Sequence, residues 1–418
     1  MNYPAALISR PLATAVRPRL GHRAAFALLA SAALTLLASS SAPTPLYATY
    51  QARWGFSDLT VTVIFGVYAV AVLASLLVFG SLSDHVGRRP LLLAALGSQV
   101  LVMLIFAFAG NLDVLLAARV LQGLATGAAL GAIGAGLVDL HPTRGPVANA
   151  SALMAGTASG SLLSAVFVQW LPAPTELVYL FLSAVFLAQA LSVLLIAETS
   201  ARVPGARRSL APTLSLPPQV RPAVWVAGPS LVAVWTLAGF YASLGPSLAQ
   251  MVAGDHSMIL GGAALFLLAG SASATVLRFH RTEARRFALY GAIAIIVGSA
   301  LLLWGVAARS LPIFAVGILP AGAGFGAGFQ GGLRAIVADA EPHQRAGVIS
   351  IVYVISYLSM GLPAILAGAL VVSSSLPRTA EELGAGVIIL AALTAVGLAR
   401  SLRQEARAAA PSSVCPAV

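Results

Sequence analysis

Leu59 to Gly80 reads LTVTVIFGVYAVAVLASLLVFG, Ser81 to Pro90 reads SLSDHVGRRP, and Leu91 to Gly110 reads LLLAALGSQVLVMLIFAFAG. Neither flanking run holds a charge. A bilayer core about 30 Å thick takes about 20 apolar residues of helix, so each run is long enough to cross it. The segment between them, with an acid and two arginines, reads as a short wet connection. The stretch is a membrane hairpin, and the rest of the chain repeats it.

Working outward, uncharged or nearly uncharged runs give twelve candidate spans: 24–46, 59–80, 91–110, 113–138, 147–171 and 176–197, then 223–252, 257–277, 287–307, 311–338, 346–373 and 382–400. Composition agrees. Of 418 residues 59% are hydrophobic and only 9% charged, with a mean hydropathy of +0.92, whereas soluble chains carry about a quarter charged residues. The single cysteine, Cys415, has no partner, so a disulfide framework and a cysteine metal site are excluded. The first span follows Arg10, Arg17, Arg19 and Arg23, the charge pattern that opens a signal peptide. Its length, its Pro43-Thr-Pro45 ending without a small-residue cleavage site, and the eleven spans beyond it argue for a retained helix.

The net charge of +11 would raise nucleic-acid binding in a soluble chain. Here the cations are all arginine, in short loops, with no interleaved aromatic stripe, so the bilayer and not nucleic acid is the expected partner. With the N-terminus in the cytoplasm, nineteen arginines fall in cytoplasmic segments and three, Arg53, Arg309 and Arg378, in outer loops. That asymmetry fits an even number of spans with both termini inside. Arginine in place of every lysine, with abundant alanine, suggests a GC-rich bacterial genome, and the inner membrane is the expected location.

Residues 198–222 form the longest internal polar stretch, with Arg207-Arg208 and four prolines that block a continuous helix. Asp139-Leu-His-Pro142 and Asp339-Ala-Glu-Pro342 close glycine-rich spans two hundred residues apart, and Gly131 and Gly331 keep the same offset. The expected organisation is a tail 1–23, a six-helix half 24–197, a cytoplasmic linker 198–222, a second half 223–400 and a tail 401–418.

Gly80-Ser-Leu-Ser-Asp84-His-Val-Gly87-Arg88-Arg89-Pro90 resembles the signature loop of the major facilitator superfamily: glycine, three residues, aspartate, two residues, glycine and a basic pair. The resemblance implies an all-α membrane fold of twelve helices in two pseudo-symmetric halves, and secondary transport of a small molecule by alternating access. Physically, Gly87 allows positive φ, Asp84 meets a helix end, and Arg88 and Arg89 pair with Asp139 as a cytoplasmic gate. The alternative is that the arginines only mark topology.

Arg119-Val-Leu-Gln122-Gly123-Leu-Ala-Thr126 resembles a second motif of that superfamily. An arginine at membrane depth costs a few kcal/mol, so it should face a cavity or a partner unless it snorkels. Arg119, Gln122 and Thr126 share a helical face. The resemblance implies proton movement or anion binding there. The drug:proton antiporters of the superfamily carry Gly-x-x-x-Gly-Pro in the fifth span. This chain keeps Gly156 and Gly160 but has Ser161 at the proline and Ser164-Ala165 at the following glycine pair. Close packing is expected to survive, since serine and alanine also permit backbone approach. In the second half, Arg278 to Arg286 stands where the loop would recur, without its glycines or leading aspartate, and its charges are expected to meet Asp339 or lipid. The glycine-rich tenth span suggests close packing or flexibility, with Gln330 and Arg334 directed either to a cavity or to water.

By the same resemblance the first, fourth, seventh and tenth helices line the cavity with Ser39, Ser40, Gln122, Thr126, Trp235, Tyr241, Phe329 and Gln330. No carboxylate or histidine lies at a span centre, so Asp113 and Asp58 near the outer mouth, beside Arg119, are the candidate titrating groups, with a proton as the coupling ion. No metal site, hydrolytic triad or lysine-bearing phosphate loop is present, so no cofactor and no enzymatic activity are expected. The expected function is export of hydrophobic or amphipathic compounds by a monomer. Uptake of an organic acid or sugar, or a transport-inactive sensor or scaffold, are the alternatives.

Overall fold

A computed structural model describes residues 20–200, 203–255 and 257–409, which form helices and, among the described residues, no strand. The tail residues 1–19 and 410–418, with Arg10, Arg17, Arg19 and Cys415, lie outside the described residues, as does Arg202. The first half comprises α1 (His22–Ser41), α2 (Pro43–Trp54), α3 (Asp58–Phe79), α4 (Ser83–Val86), α5 (Arg88–Ala107), α6 (Leu112–Leu140), α7 (Gly145–Trp170) and α8 (Pro174–Val193). A short α9 (Ala206–Ser209) sits in the linker. The second half comprises α10 (Arg221–Ser243), α11 (Gly245–Ala253), α12 (Met258–Phe279), α13 (Ala284–Ala307), α14 (Leu311–Ala338), α15 (Arg345–Ser373) and α16 (Leu376–Ala409).

Twelve of these segments, counting α1 and α2 together, are long and apolar enough to cross a membrane. Three expected boundaries move. Pro43 and Pro45 do not end the first span: Ala42 stays helical (φ −56°, ψ −38°), Pro43 takes the first position of α2, and the helix runs on through Arg53 to Trp54. The seventh span breaks at Leu244, with Pro246 opening α11. The last helix continues to Ala409, so the expected C-terminal tail begins as helix.

The two halves repeat one packing scheme. In the first, α3 packs on α6, α1 on α7, and α5 on both α6 and α8; in the second, α12 packs on α14, α10 on α15, and α13 on both α14 and α16. The two most extensive contacts between the halves are exchanged ones, α3 against α15 and α7 against α12. The glycines explain the closest crossing. Gly291, Gly298 and Gly305 on α13 face the backbone of α14, and Gly317, Gly324 and Gly331 on α14 face α13, each series stepping by seven residues. A side chain at any of them would strike the partner helix, so the glycine-rich tenth span is a packing surface. Gly156 and Gly160 likewise admit the backbone of α1 at Leu34 and Ala38. Many large apolar side chains remain exposed, among them Leu101, Trp225, Leu362, Leu366, Ile389 and Leu393, as a lipid-facing surface requires.

Prolines free backbone carbonyls inside this bundle, and side chains from other helices answer them. Pro43 has no N–H for Ser39 O, which instead accepts from Gln122 Nε2 at 3.0 Å. Pro246 leaves Ala242 O to Thr44 Oγ1 at 3.1 Å, and Pro363 leaves Ser359 O to Thr236 Oγ1 at 3.2 Å. In lipid such carbonyls have no water to turn to.

Candidate substrate cavity and loop latch

The loop after α3 is held by two acids from elsewhere and one of its own. Gly87 has φ 99°, the left-handed geometry expected of it. Arg88 pairs with Asp84 through Nη1 and with Asp139 Oδ2 at 3.3 Å through Nε, and its Nη1 also donates to Ser83 Oγ. Two expectations change. The acid that meets a helix end is Glu198, not Asp84: its carboxylate accepts Arg88 N at 2.8 Å and Arg89 N at 3.0 Å, capping α5. Arg89 does not pair with Asp139; its guanidinium donates to Leu194 O. Thr199 Oγ1 completes the cluster by donating to Asp139 Oδ2 at 3.0 Å. These contacts all lie within the first half and its exit segment.

The second half has a simpler counterpart. Glu283 caps its own helix α13 through Arg285 N and Arg286 N at 2.7 and 2.9 Å. Among the described residues Asp339 takes no ion pair with this loop, which leaves the lipid alternative for its charges.

Arg119 does not snorkel: it is 0% exposed. Its Nη1 donates to Ser40 O at 3.0 Å and Gln122 Oε1 at 2.7 Å, and its Nη2 to Tyr47 OH. The guanidinium lies 5.0 Å from the Tyr68 ring centre and 6.0 Å from that of Phe106. Its partners are therefore a backbone carbonyl, a side-chain amide, a phenol hydroxyl and aromatic faces, all neutral. Asp113 and Asp58 are not its charged neighbours. Asp113 is exposed in the first turn of α6, and Asp58 accepts from Gln51 Nε2 at 2.9 Å. Thr126 turns to Gln99, whose Nε2 donates to it at 2.9 Å.

Between the halves lies a cavity of about 920 Å³. Ser40, Trp235, Phe329 and Gln330 line it, as expected, and Arg334, for which the sequence leaves cavity and water both open, lines it too. Ser39, Gln122 and Thr126 do not, being buried in the first-half core, and Tyr241 lies in a separate pocket with Ser299 and Leu302. The reason is rotation: Tyr241 follows Trp235 by six residues, which at about 100° each places it well around the helix. Helices α3, α7, α12 and α15 also supply walls, through Phe65, Tyr68, Asn149, Leu265, Tyr357 and Met360. An aromatic cluster sits in it: Trp235 meets Phe325 and Phe329 edge-on at 5.5 and 5.1 Å, and Tyr357 at 5.6 Å.

The cavity reaches the face that carries the loop, where Gly80, Asp84, His280 and Arg345 and the linker residues Ala211 and Thr213 border it. At the other end the halves meet, through Thr44 and Ala242 and through Thr62 against Gly368. The conformation is open on the loop face and closed on the opposite one.

A model of the Major Facilitator Superfamily matches residues 28–362. The chain belongs to that superfamily. Its twelve apolar helices accord with a membrane-embedded member of that superfamily. It is 37% identical over 114 residues to a triacylglyceride transporter of Mycolicibacterium hassiacum, covering 27% of this chain and 21% of that one. It is 38% identical over 64 residues to multidrug resistance protein D of Escherichia coli K12, covering 15% and 16%. The matches thus span about a fifth or less of these relatives' lengths. Among solved structures, a bacterial homologue of the human lysosomal transporter Spinster, inward-facing and unoccupied, aligns with TM-score 0.70 and 13% identity over 91% of this chain and 98% of its own. A mutant of the nucleoside transporter NupG aligns with TM-score 0.69 and 11% identity over 90% and 100%. The human organic anion transporter MFSD10 aligns with TM-score 0.65 and 17% identity over 90% and 100%. These likenesses speak for the superfamily fold.

Sequence reasoning missed Glu198, Tyr47 and Gln99. Gln99 carried a signal, as a glutamine midway along an otherwise apolar span. Glu198 and Tyr47 carried none, because their roles depend on which helices are neighbours.

Proposed function

We propose that this superfamily member exports hydrophobic or amphipathic small molecules by alternating access across a bacterial inner membrane, with the loop face and both termini in the cytoplasm. The observation that carries the reading is the cavity. Its volume of about 920 Å³ suits a drug-sized ligand. Aromatic and aliphatic side chains dominate its walls, and the only carboxylate among its described lining residues, Asp84, is paired with Arg88 at the mouth. Such a lining favours apolar bodies over sugars, which need many hydrogen-bonding groups, and over polycations, which need buried acids. A cavity open to the cytoplasmic side is also the loading state of an exporter.

A proton is the proposed coupling ion and the monomer the working unit, since each half-interface is completed within the one chain. Reconstitution into proteoliposomes tests the reading. Labelled hydrophobic, organic-acid and sugar compounds are offered with and without a pH gradient, to the unaltered protein and to Asp84→Asn. Gradient-driven movement of an amphipathic compound, abolished by Asp84→Asn, is expected. Movement of a sugar alone removes the exporter reading, and movement indifferent to the gradient removes proton coupling.

A further inference from the structure

We propose that Arg334 is the anion-binding residue of the cavity, and that the transported compounds are amphipathic organic anions: an apolar body bearing a carboxylate, sulfonate or phosphate. This rests on the transport reading above and narrows its substrate class.

Arg334 stands in the cavity wall toward the loop face. Its Nη1 donates to His280 O at 2.8 Å and its Nε to Gln330 O at 3.3 Å, and its guanidinium lies 5.3 Å from the centre of the Phe287 ring. Two carbonyls and a ring thus hold the group in place without neutralising it. Its Nη2 is buried with no hydrogen-bond partner. Among the described residues no carboxylate forms an ion pair with it. Glu283 bears on it electrostatically, but both Glu283 oxygens already serve the backbone of α13.

The other membrane arginine cannot take this role in the state seen here. Arg119 is fully enclosed, and Ser40 and Tyr68, which line the cavity, stand between it and that space. Arg88 is neutralised by Asp84 and Asp139. Arg334 is therefore a cation of the cavity wall that takes no ion pair among the described residues, and Arg345 at the mouth, whose Nε donates to Ala340 O, adds to the same positive field. In a low-dielectric space such a field favours anions and repels cations. Nη2 is covered in this conformation, so an anion in the cavity would draw the guanidinium outward, pairing the unmatched Nη2 and Nη1 with a two-oxygen acceptor.

The aromatic cluster fixes the other end of the ligand. Phe329 and Phe325 precede Arg334 by five and nine residues on α14, roughly 8 and 14 Å along its axis. An anion on Arg334 would thus lay an apolar body of that length against Trp235, Phe325 and Phe329.

The test uses 4-phenylbutane-1-sulfonate, which stays charged and does not cross lipid unaided, beside 4-phenylbutan-1-ol and 4-phenylbutylamine. Transport in proteoliposomes and thermal stabilisation of the purified full chain are read for the unaltered protein, Arg334→Gln and Arg334→Lys. We expect the sulfonate to be carried and to stabilise the protein. Arg334→Gln should raise its KM by about tenfold or more, the alcohol should be unaffected, and Arg334→Lys should recover part of the loss. A purely structural role for Arg334 would shift all three compounds alike and overturn the proposal, as would an amine that competes as well as the sulfonate. If the alcohol moves but the sulfonate does not, the anion inference falls and export stands. If no amphipath moves, export falls, and the sulfonate's stabilisation decides for Arg334: present and lost in Arg334→Gln supports it, absent overturns it.

Discussion

Glu198 accepts the backbone N–H of Arg88 at 2.8 Å across 110 residues of chain, so the acid that follows the sixth span fixes where the third begins. The signature loop is held by that contact as well as by the Arg88 ion pairs. Replacing Glu198 with Ala should lower stability by about 1 kcal/mol, the ordinary cost of losing a helix cap. Thermal unfolding in detergent measures this, and amide exchange at residues 88 and 89 should quicken while that at the start of α13, capped by Glu283, does not.

Arg119 sits among Ser40 O, Gln122 and Tyr47 with no acid beside it. Arg119→Ala should leave those acceptors unmatched and a void between aromatic rings, costing on the order of 3 kcal/mol. Asp113→Asn, at an exposed position, should leave both stability and transport unchanged. Loss of transport in Asp113→Asn would restore it as a coupling group.

The carbonyl freed by Pro363 gives a cleaner energetic test. Thr236→Val removes its donor and should cost about 1 kcal/mol, the scale of hydrogen bonds between membrane helices. In a Pro363→Ala background, where the new N–H can serve Ser359 O, the same change should cost almost nothing. Equal costs in the two backgrounds would show that Thr236 contributes by packing alone.

Thr62 and Gly368 meet where α3 and α15 close the face opposite the loop. With Cys415 replaced by Ser, the pair Thr62→Cys and Gly368→Cys should form a disulfide under mild oxidation. Transport should fall to background and return on reduction, because alternating access requires this contact to part. Undiminished transport by the oxidised protein would mean that the two helices stay together throughout the cycle.

Fold and topology could be read in the chain because each span must satisfy its own backbone in lipid. An uncharged run of about 20 residues has hardly any structure open to it except a crossing helix. The loop motif was legible for a similar reason, as Gly87, Asp84 and Arg88 act within a few residues of one another. Pro43 and Pro45 misled, since a proline that ends a helix in water can instead bend one in a bundle, where Gln122 answers the freed carbonyl of Ser39.

What the sequence by itself determined is therefore what is local: twelve spans, the repeat of two halves, and the turn at Gly87. Only the tertiary structure decided which polar side chains face the cavity and which are sealed away. Arg119 and Arg334 look alike in the chain, each an arginine four residues from a glutamine or closer. One is fully enclosed by Tyr47, Tyr68 and Phe106, and the other is half-buried in the cavity wall. The difference lies in the rotation and neighbours of two helices, set by contacts between residues far apart in sequence, which no local pattern encodes.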